Sequence, residues 1–167
     1  MHRQRTLTWE DPAQMYKIMR TLSGLDCLQR VIAGELPPPP MAQLMDIRLI
    51  EVGFGRAVFA SLPSEFHYNP LGVVHGGFAA TLLDSAMGCA VHSTLEKGDA
   101  YTTIEFKINF LRPLNLMSGE VRGVGTVLSS SRTTALAEGR LDGPDGKLYG
   151  FATCTCLIKR AGDRSTA

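Results

Sequence analysis

An excess of charge of either sign is missing from this chain: 17 Lys and Arg stand against 16 Asp and Glu, for a formal net charge of +1. With no basic stripe, the electrostatic footprint of a nucleic-acid partner is absent, and a near-neutral surface tolerates self-association. No apolar run is long enough to cross a bilayer. The longest, Phe78 to Val91, falls short of the ~20 residues that a spanning helix needs, and it carries Asp84 in its middle. The opening residues, MHRQRTLTWEDP, lead into no apolar segment and do not read as a secretory signal. Cysteine is scarce and offers no C-x-x-C pair, which excludes zinc-ribbon and thioredoxin readings. Cys27, Cys89, Cys154 and Cys156 are expected to be small buried hydrophobes in a reducing compartment, with no metal site. The expectation is a cytoplasmic protein without nucleic-acid or membrane partners.

The 167 residues, 44% of them hydrophobic and 20% charged, suit one globular domain with a real core. Asp11 to about Glu35 has helical spacing, with Asp11 as cap, Pro12 at the first turn and a possible break at Ser23-Gly24. Pro37 to Pro40 predict a stiff extended spacer, so residues 1–40 form a helical lead-in rather than a second domain. Strands are predicted over Leu44–Val52, Arg56–Leu62, Tyr101–Leu111, Glu120–Leu128, Thr133–Leu141 and Lys147–Lys159, and a helix over Gly76–Leu95. In the third strand Ile104, Phe106, Ile108 and Phe110 alternate with polar residues, which predicts one buried face. Gly123 and Gly125 mark a bulge or a close backbone approach. The order β-β-α-β-β-β-β, with short turns between the last strands, predicts antiparallel pairing. A central helix that is apolar on nearly every side needs a large cover, which a long curved sheet supplies. The class is α+β, with a domain over 41–160 and a loose tail over 161–167.

The stretch from Asn69 to Val91, NPLGVVHGGFAATLLDSAMGCAV, carries the chemistry. A helix start offers free N–H groups to developing negative charge. Two glycines there, Gly76 and Gly77, weaken the helix and imply a close approach by ligand or partner. Asp84 is a lone carboxylate in an apolar helix, costly without a task or a partner. It reads either as a reacting group or as a structural acid bonded to Thr81, Ser85 or a neighbouring chain. Eight residues separate Gly76 from Asp84, or ~12 Å along a helix axis. One small substrate group cannot meet both in one copy, so if both act the active unit is at least a homodimer, with a homotetramer as the larger alternative. Gly123-x-Gly125 lacks the third glycine and the following helix of a dinucleotide site. Ser85, inside a helix, lacks the context of a nucleophile elbow.

N-P-L-G-V-V-H-G-G, with Asp84 nine positions after His75 and the later strand Thr102–Pro113, resembles the hotdog-fold acyl-CoA thioesterases of the phenylacetate-pathway (PaaI-like) type. The match covers about residues 42–160. The resemblance implies a hotdog fold, in which a long antiparallel sheet wraps around one central helix, here with an N-terminal helical extension. It implies an acyl-CoA substrate and no cofactor beyond the coenzyme A of the substrate. It gives the Gly76 N–H, with Gly77 beside it, the role of oxyanion donor, and Asp84 that of base or nucleophile. Asn69 would place water or substrate, and His75 would order the loop or lie near the thiol. A hydroxyl on the third strand would contact water or acid; Thr103 fits that role best, and Thr102 adjoins it. Val73, Val74, Phe78 and Met87 could line an acyl pocket for aromatic or medium-chain groups. Arg132, or alternatively Arg112, could meet the coenzyme A phosphates. Two other functions share this fold: a non-catalytic acyl-CoA binding or sensing module, and a hydratase or dehydratase.

Overall fold

The computed structural model describes residues 2–163. It contains helices α1 (Pro12–Met19), α2 (Gly24–Ile32), α3 (Pro40–Met45) and α4 (Gly76–His92). Its strands are β1 (Arg48–Gly53), β2 (Arg56–Ser61), β3 (Ala100–Phe110), β4 (Val121–Ser130), β5 (Thr134–Asp142) and β6 (Leu148–Lys159). The strands form one antiparallel sheet in the order β1-β2-β4-β5-β6-β3. Helix α4 touches all six strands. The α+β expectation of a sheet around one central helix therefore holds.

The sheet comes close to α4 because glycine faces it. A Cβ on Gly125 would sit 2.3 Å from the Ala86 carbonyl oxygen and 2.6 Å from the Met87 nitrogen. On Gly123 it would fall 2.5 Å from a Leu82 methyl. These two residues mark a close approach; the β4 bulge lies further on, between Val127 and Ser129. Leu82, Leu83, Ala86, Met87 and Val91 of α4 fill the resulting core. The opposite flank of the helix is less covered, and there Asp84 is exposed.

Three expectations need correction. The prolines do not stay extended to residue 40, and β1 does not start at Leu44. Pro39 is extended, but Pro40 takes the first turn of α3, where its missing N–H costs nothing. Asp46 ends that helix in the left-handed region at φ 53°. In β3 the alternation slips at a bulge between Thr103 and Glu105. Thr103 faces Cys156 and Phe106 faces Cys154, so Thr103, Phe106 and Ile108 point inward. Ile104 is consequently exposed, whereas Phe110 keeps the phase of Ile108 and is exposed at the end of the strand.

The lead-in separates at Ser23 as expected: its hydroxyl accepts from the Asp26 N–H and caps α2. Helix α2 packs on β1 and α4. Of the predicted tail, Ala161 donates to Asp99 at 3.0 Å and Asp163 pairs with Arg132. Residues 164–167 lie outside the described residues. Among the described residues no helix is long and apolar enough to cross a membrane.

Gly125→Ala should destabilise the fold by about 3 kcal/mol, because the obstacle is helix backbone that cannot rotate away. Urea unfolding checks this; a midpoint within error of the unaltered chain would show that β4 and α4 can separate cheaply.

Candidate active site

The loop before α4 is held mainly by its own backbone. Asn69 accepts from the Leu71 N–H at 2.9 Å and from the Val73 N–H at 3.4 Å through its side-chain oxygen, and its own N–H donates to the Val73 carbonyl. The Val74 N–H donates to Leu114, and the His75 N–H to the His67 carbonyl at 2.8 Å. His67 is buried, accepting the Ser64 N–H at Nδ1 and contacting the Met45 carbonyl through Nε2 at 3.0 Å. The second contact requires the Nε2–H tautomer. Burial holds its pKa below the ordinary histidine range, which keeps the ring neutral in that role.

His75 caps α4. Its Nδ1 accepts the Gly77 N–H at 2.8 Å, and its carbonyl accepts the Phe78 N–H at 3.0 Å. The N–H left over in this first turn belongs to Gly76, which has no acceptor among the described residues. It borders a cleft of about 410 Å³ whose walls include Val74, Phe110, Arg112, Leu114 and Tyr149. A Cβ on Gly76 would come within 3.0 Å of the Phe110 ring. The glycine thus leaves the cleft floor as bare backbone.

Asp84 stands two turns along α4, outside that cleft. Thr103 of β3 donates to its Oδ1 at 3.1 Å. The β3 bulge makes this contact possible by keeping Thr103 inward while the following apolar residues also reach the core. Thr102 points the other way and is exposed. Of the structural partners foreseen for Asp84, Thr81 donates instead to the Gly77 carbonyl at 2.8 Å. The Thr103 hydroxyl also lies 3.9 Å from the Cys156 thiol, itself 3.9 Å from Cys154.

Within one protomer, then, the structure brings Thr103 to Asp84 and gathers Asn69, Val74, His75, Gly76 and Gly77 around the helix start. These two groups remain apart. Val74 lines the cleft at Gly76, and Phe78 lines a second one, of about 570 Å³, under the His67 ring. Met87 lines neither: it is wholly buried and packs against Gly139 of β5, so the pocket expected from it is core. Arg132 stands on the β4–β5 turn, paired with Asp163, whereas Arg112 borders the Gly76 cleft and donates to the Leu148 carbonyl. His67 braces the loop. Nothing in its neighbours signals this, because the Met45 carbonyl comes from a helix placed there by tertiary packing. All four cysteines are free, and burial pushes the Cys89 thiol up to about 12.

A family model described as the thioesterase superfamily matches residues 71–149. A proposed esterase of Saccharolobus solfataricus is 32% identical over 118 residues, covering 71% of this chain and 82% of its own length. The 1,4-dihydroxy-2-naphthoyl-CoA hydrolase of Listeria monocytogenes is 22% identical over 120 residues, 72% of this chain and 96% of that protein. Among solved structures, a proposed thioesterase from Ralstonia eutropha, related to phenylacetic acid degradation, superposes with a TM-score of 0.70. It shares 30% identity and covers 78% of this chain and 98% of its own. The sheet and helix described above are the hotdog fold of these thioesterases.

Burial lowers the pKa of both His67 and His92 below the ordinary value of 6.5. The unfolded chain therefore takes up their protons first as pH falls. Their contribution is complete above about pH 6.5 and is lost below it, toward their folded pKa values. The urea midpoint should accordingly drop between pH 7.5 and 5.5. An unchanged midpoint across that interval would show that neither ring is held neutral by folding.

Proposed function

The chain belongs to the thioesterase superfamily, and from that footing we propose that it hydrolyses acyl-CoA thioesters to free acid and coenzyme A, in a homodimer whose sites are shared between copies. The observation that carries this reading is Asp84: a carboxylate on the open flank of an apolar helix, oriented by Thr103 and, among the described residues, in no ion pair. The name of the Listeria relative, an acyl-CoA hydrolase, supports the substrate class. The free Gly76 amide supplies the complementary half.

The chemistry follows from charge. Attack on a thioester carbonyl moves negative charge onto oxygen, and an amide already aimed at that position stabilises it without reorganising. The Gly76 N–H would take the oxygen in the cleft beside Phe110. The partner's Asp84 would either deprotonate a water or attack the carbonyl itself, with the thiolate leaving on collapse of the tetrahedral intermediate. Thr103 holds the carboxylate, and the remaining amide of Asn69 is free for water or substrate. His75 serves the oxyanion site by fixing the helix start. Arg112, at the cleft, is better placed than Arg132 for a coenzyme A phosphate.

Two features support the dimer. Gly76 and Asp84 are separated by eight residues of one helix, ~12 Å along its axis. In addition, β3 is an eleven-residue edge strand that exposes Ile104 and Phe110, the kind of edge that pairs with another strand.

Asp84→Asn should lower kcat on a responsive acyl-CoA by roughly 10²–10⁴-fold, measured by thiol release. Co-expressing Asp84→Asn with Gly76→Ala chains should restore about a quarter of normal activity, since half the random dimers are mixed and each mixed dimer keeps one intact site. Activity no higher than the sum of the two parents would rule out shared sites; tight acyl-CoA binding without any thiol release would favour a binding module.

A further inference from the structure

Beyond Asp84 along α4, the lead-in helices enclose a cavity of about 210 Å³. Met15 and Met19 of α1 and Leu28 and Val31 of α2 form its roof, Phe59 and Tyr101 contribute from the sheet, and Cys89 and His92 line it from α4. The lining is almost wholly apolar, yet His92 is 9% exposed and neither ring nitrogen has a hydrogen-bond partner among the described residues. A buried imidazole in this state is expensive, because both its donor and its acceptor have left water unpaid. Burial also keeps the ring neutral, with one N–H and one bare nitrogen. Such a ring can donate to a hydroxyl oxygen and accept from a hydroxyl proton.

Asp84, Gly88 and His92 follow one another at four-residue spacing along α4. Gly88 leaves the helix bare between the two side chains, and the Tyr101 hydroxyl fills that gap: a Cβ on Gly88 would be 2.7 Å from its oxygen. Tyr101 and Thr103 lie two residues apart on the inward face of β3, so Tyr101 stands between the carboxylate and the cavity that its own ring lines. His92 lies eight residues beyond Asp84, roughly 12 Å along the axis, the reach of a medium-length acyl chain rather than of one aromatic ring.

We infer that this cavity is the acyl-tail site and that His92, at its far end, selects medium-chain acyl thioesters bearing a terminal hydroxyl group. The inference rests on the thioesterase reading for its chemistry and adds a role for the N-terminal helices, which roof the tail site. A site built to hydrogen-bond a hydroxyl discriminates strongly against the analogue lacking it, because the protein group is then left unpaired.

The test compares 10-hydroxydecanoyl-CoA, decanoyl-CoA and butyryl-CoA by thiol release. The expected result is a kcat/KM for the hydroxy ester at least about tenfold above that of decanoyl-CoA. In His92→Phe this ratio should fall toward one. Met19→Trp, which fills the cavity from the roof and leaves α4 untouched, should depress both ten-carbon esters relative to butyryl-CoA. An equal rate on the two ten-carbon esters in the unaltered protein, or a ratio unchanged by His92→Phe, overturns the inference. Thermal unfolding with free 10-hydroxydecanoate and decanoate separates this from a failure of the hydrolysis reading. The hydroxy acid should raise Tm more, and His92→Phe should erase the difference, whether or not any thioester is cleaved. Equal stabilisation by the two acids overturns the tail site by itself.

Discussion

The contact between the β4 backbone and the α4 backbone sets the rest of the structure. Gly125 admits the helix to a distance that any side chain would forbid, and the sheet bends around it so that all six strands touch one helix. A close-packed interior tolerates few alternatives at such a contact. With one side of α4 committed to the sheet, its other flank is left less covered, and Asp84 stands on that flank. The position of the acid is thus a consequence of where the glycines are. The same contact fixes the direction of the helix start, and with it the cleft at which the Gly76 amide is displayed.

Much of this order was legible in the chain. The six strands and the central helix follow from hydrophobic period and turn residues, and the cap and proline at Asp11-Pro12 mark α1 correctly. What could not be read were features decided by tertiary contact. Pro40 looks like a helix breaker, yet it opens α3, since a proline at a first turn gives up nothing. The alternation in β3 looks unbroken in sequence, and only pairing with β6 reveals the bulge. The candidate site divides in the same way. The glycines and the lone acid are visible as departures from good helix composition. Met87, by contrast, is indistinguishable in sequence from a pocket residue, and its burial against Gly139 is a property of the folded core.

The histidines show how differently one residue type can be used in a small fold. His75 contributes a ring nitrogen to its own helix start, and His67 ties the preceding loop to α3. The His92 ring makes neither kind of bond among the described residues. Two rings thereby hold the N-terminal end of α4 in place, while the third faces the space enclosed by the lead-in helices. Those helices close over part of the domain surface, and together with it they bound a chamber that the hotdog core alone would leave open on that side.

The slip in β3 has a consequence for how this site can vary. Because Thr103 and Phe106 share a face only by virtue of one extra residue, the hydroxyl that steadies Asp84 is specified by strand length as much as by residue type. With Ile104 and Glu105 both kept between them, closing the bulge would put Thr103 and Phe106 on opposite faces, and either the threonine or the apolar residues after it would turn to solvent; deleting Ile104 would restore strict alternation with both still inward. Point substitutions can tune this hydroxyl, but only a change in the pairing register of β3 can relocate it, which makes the phase of the strand a more durable constraint than any one of its side chains.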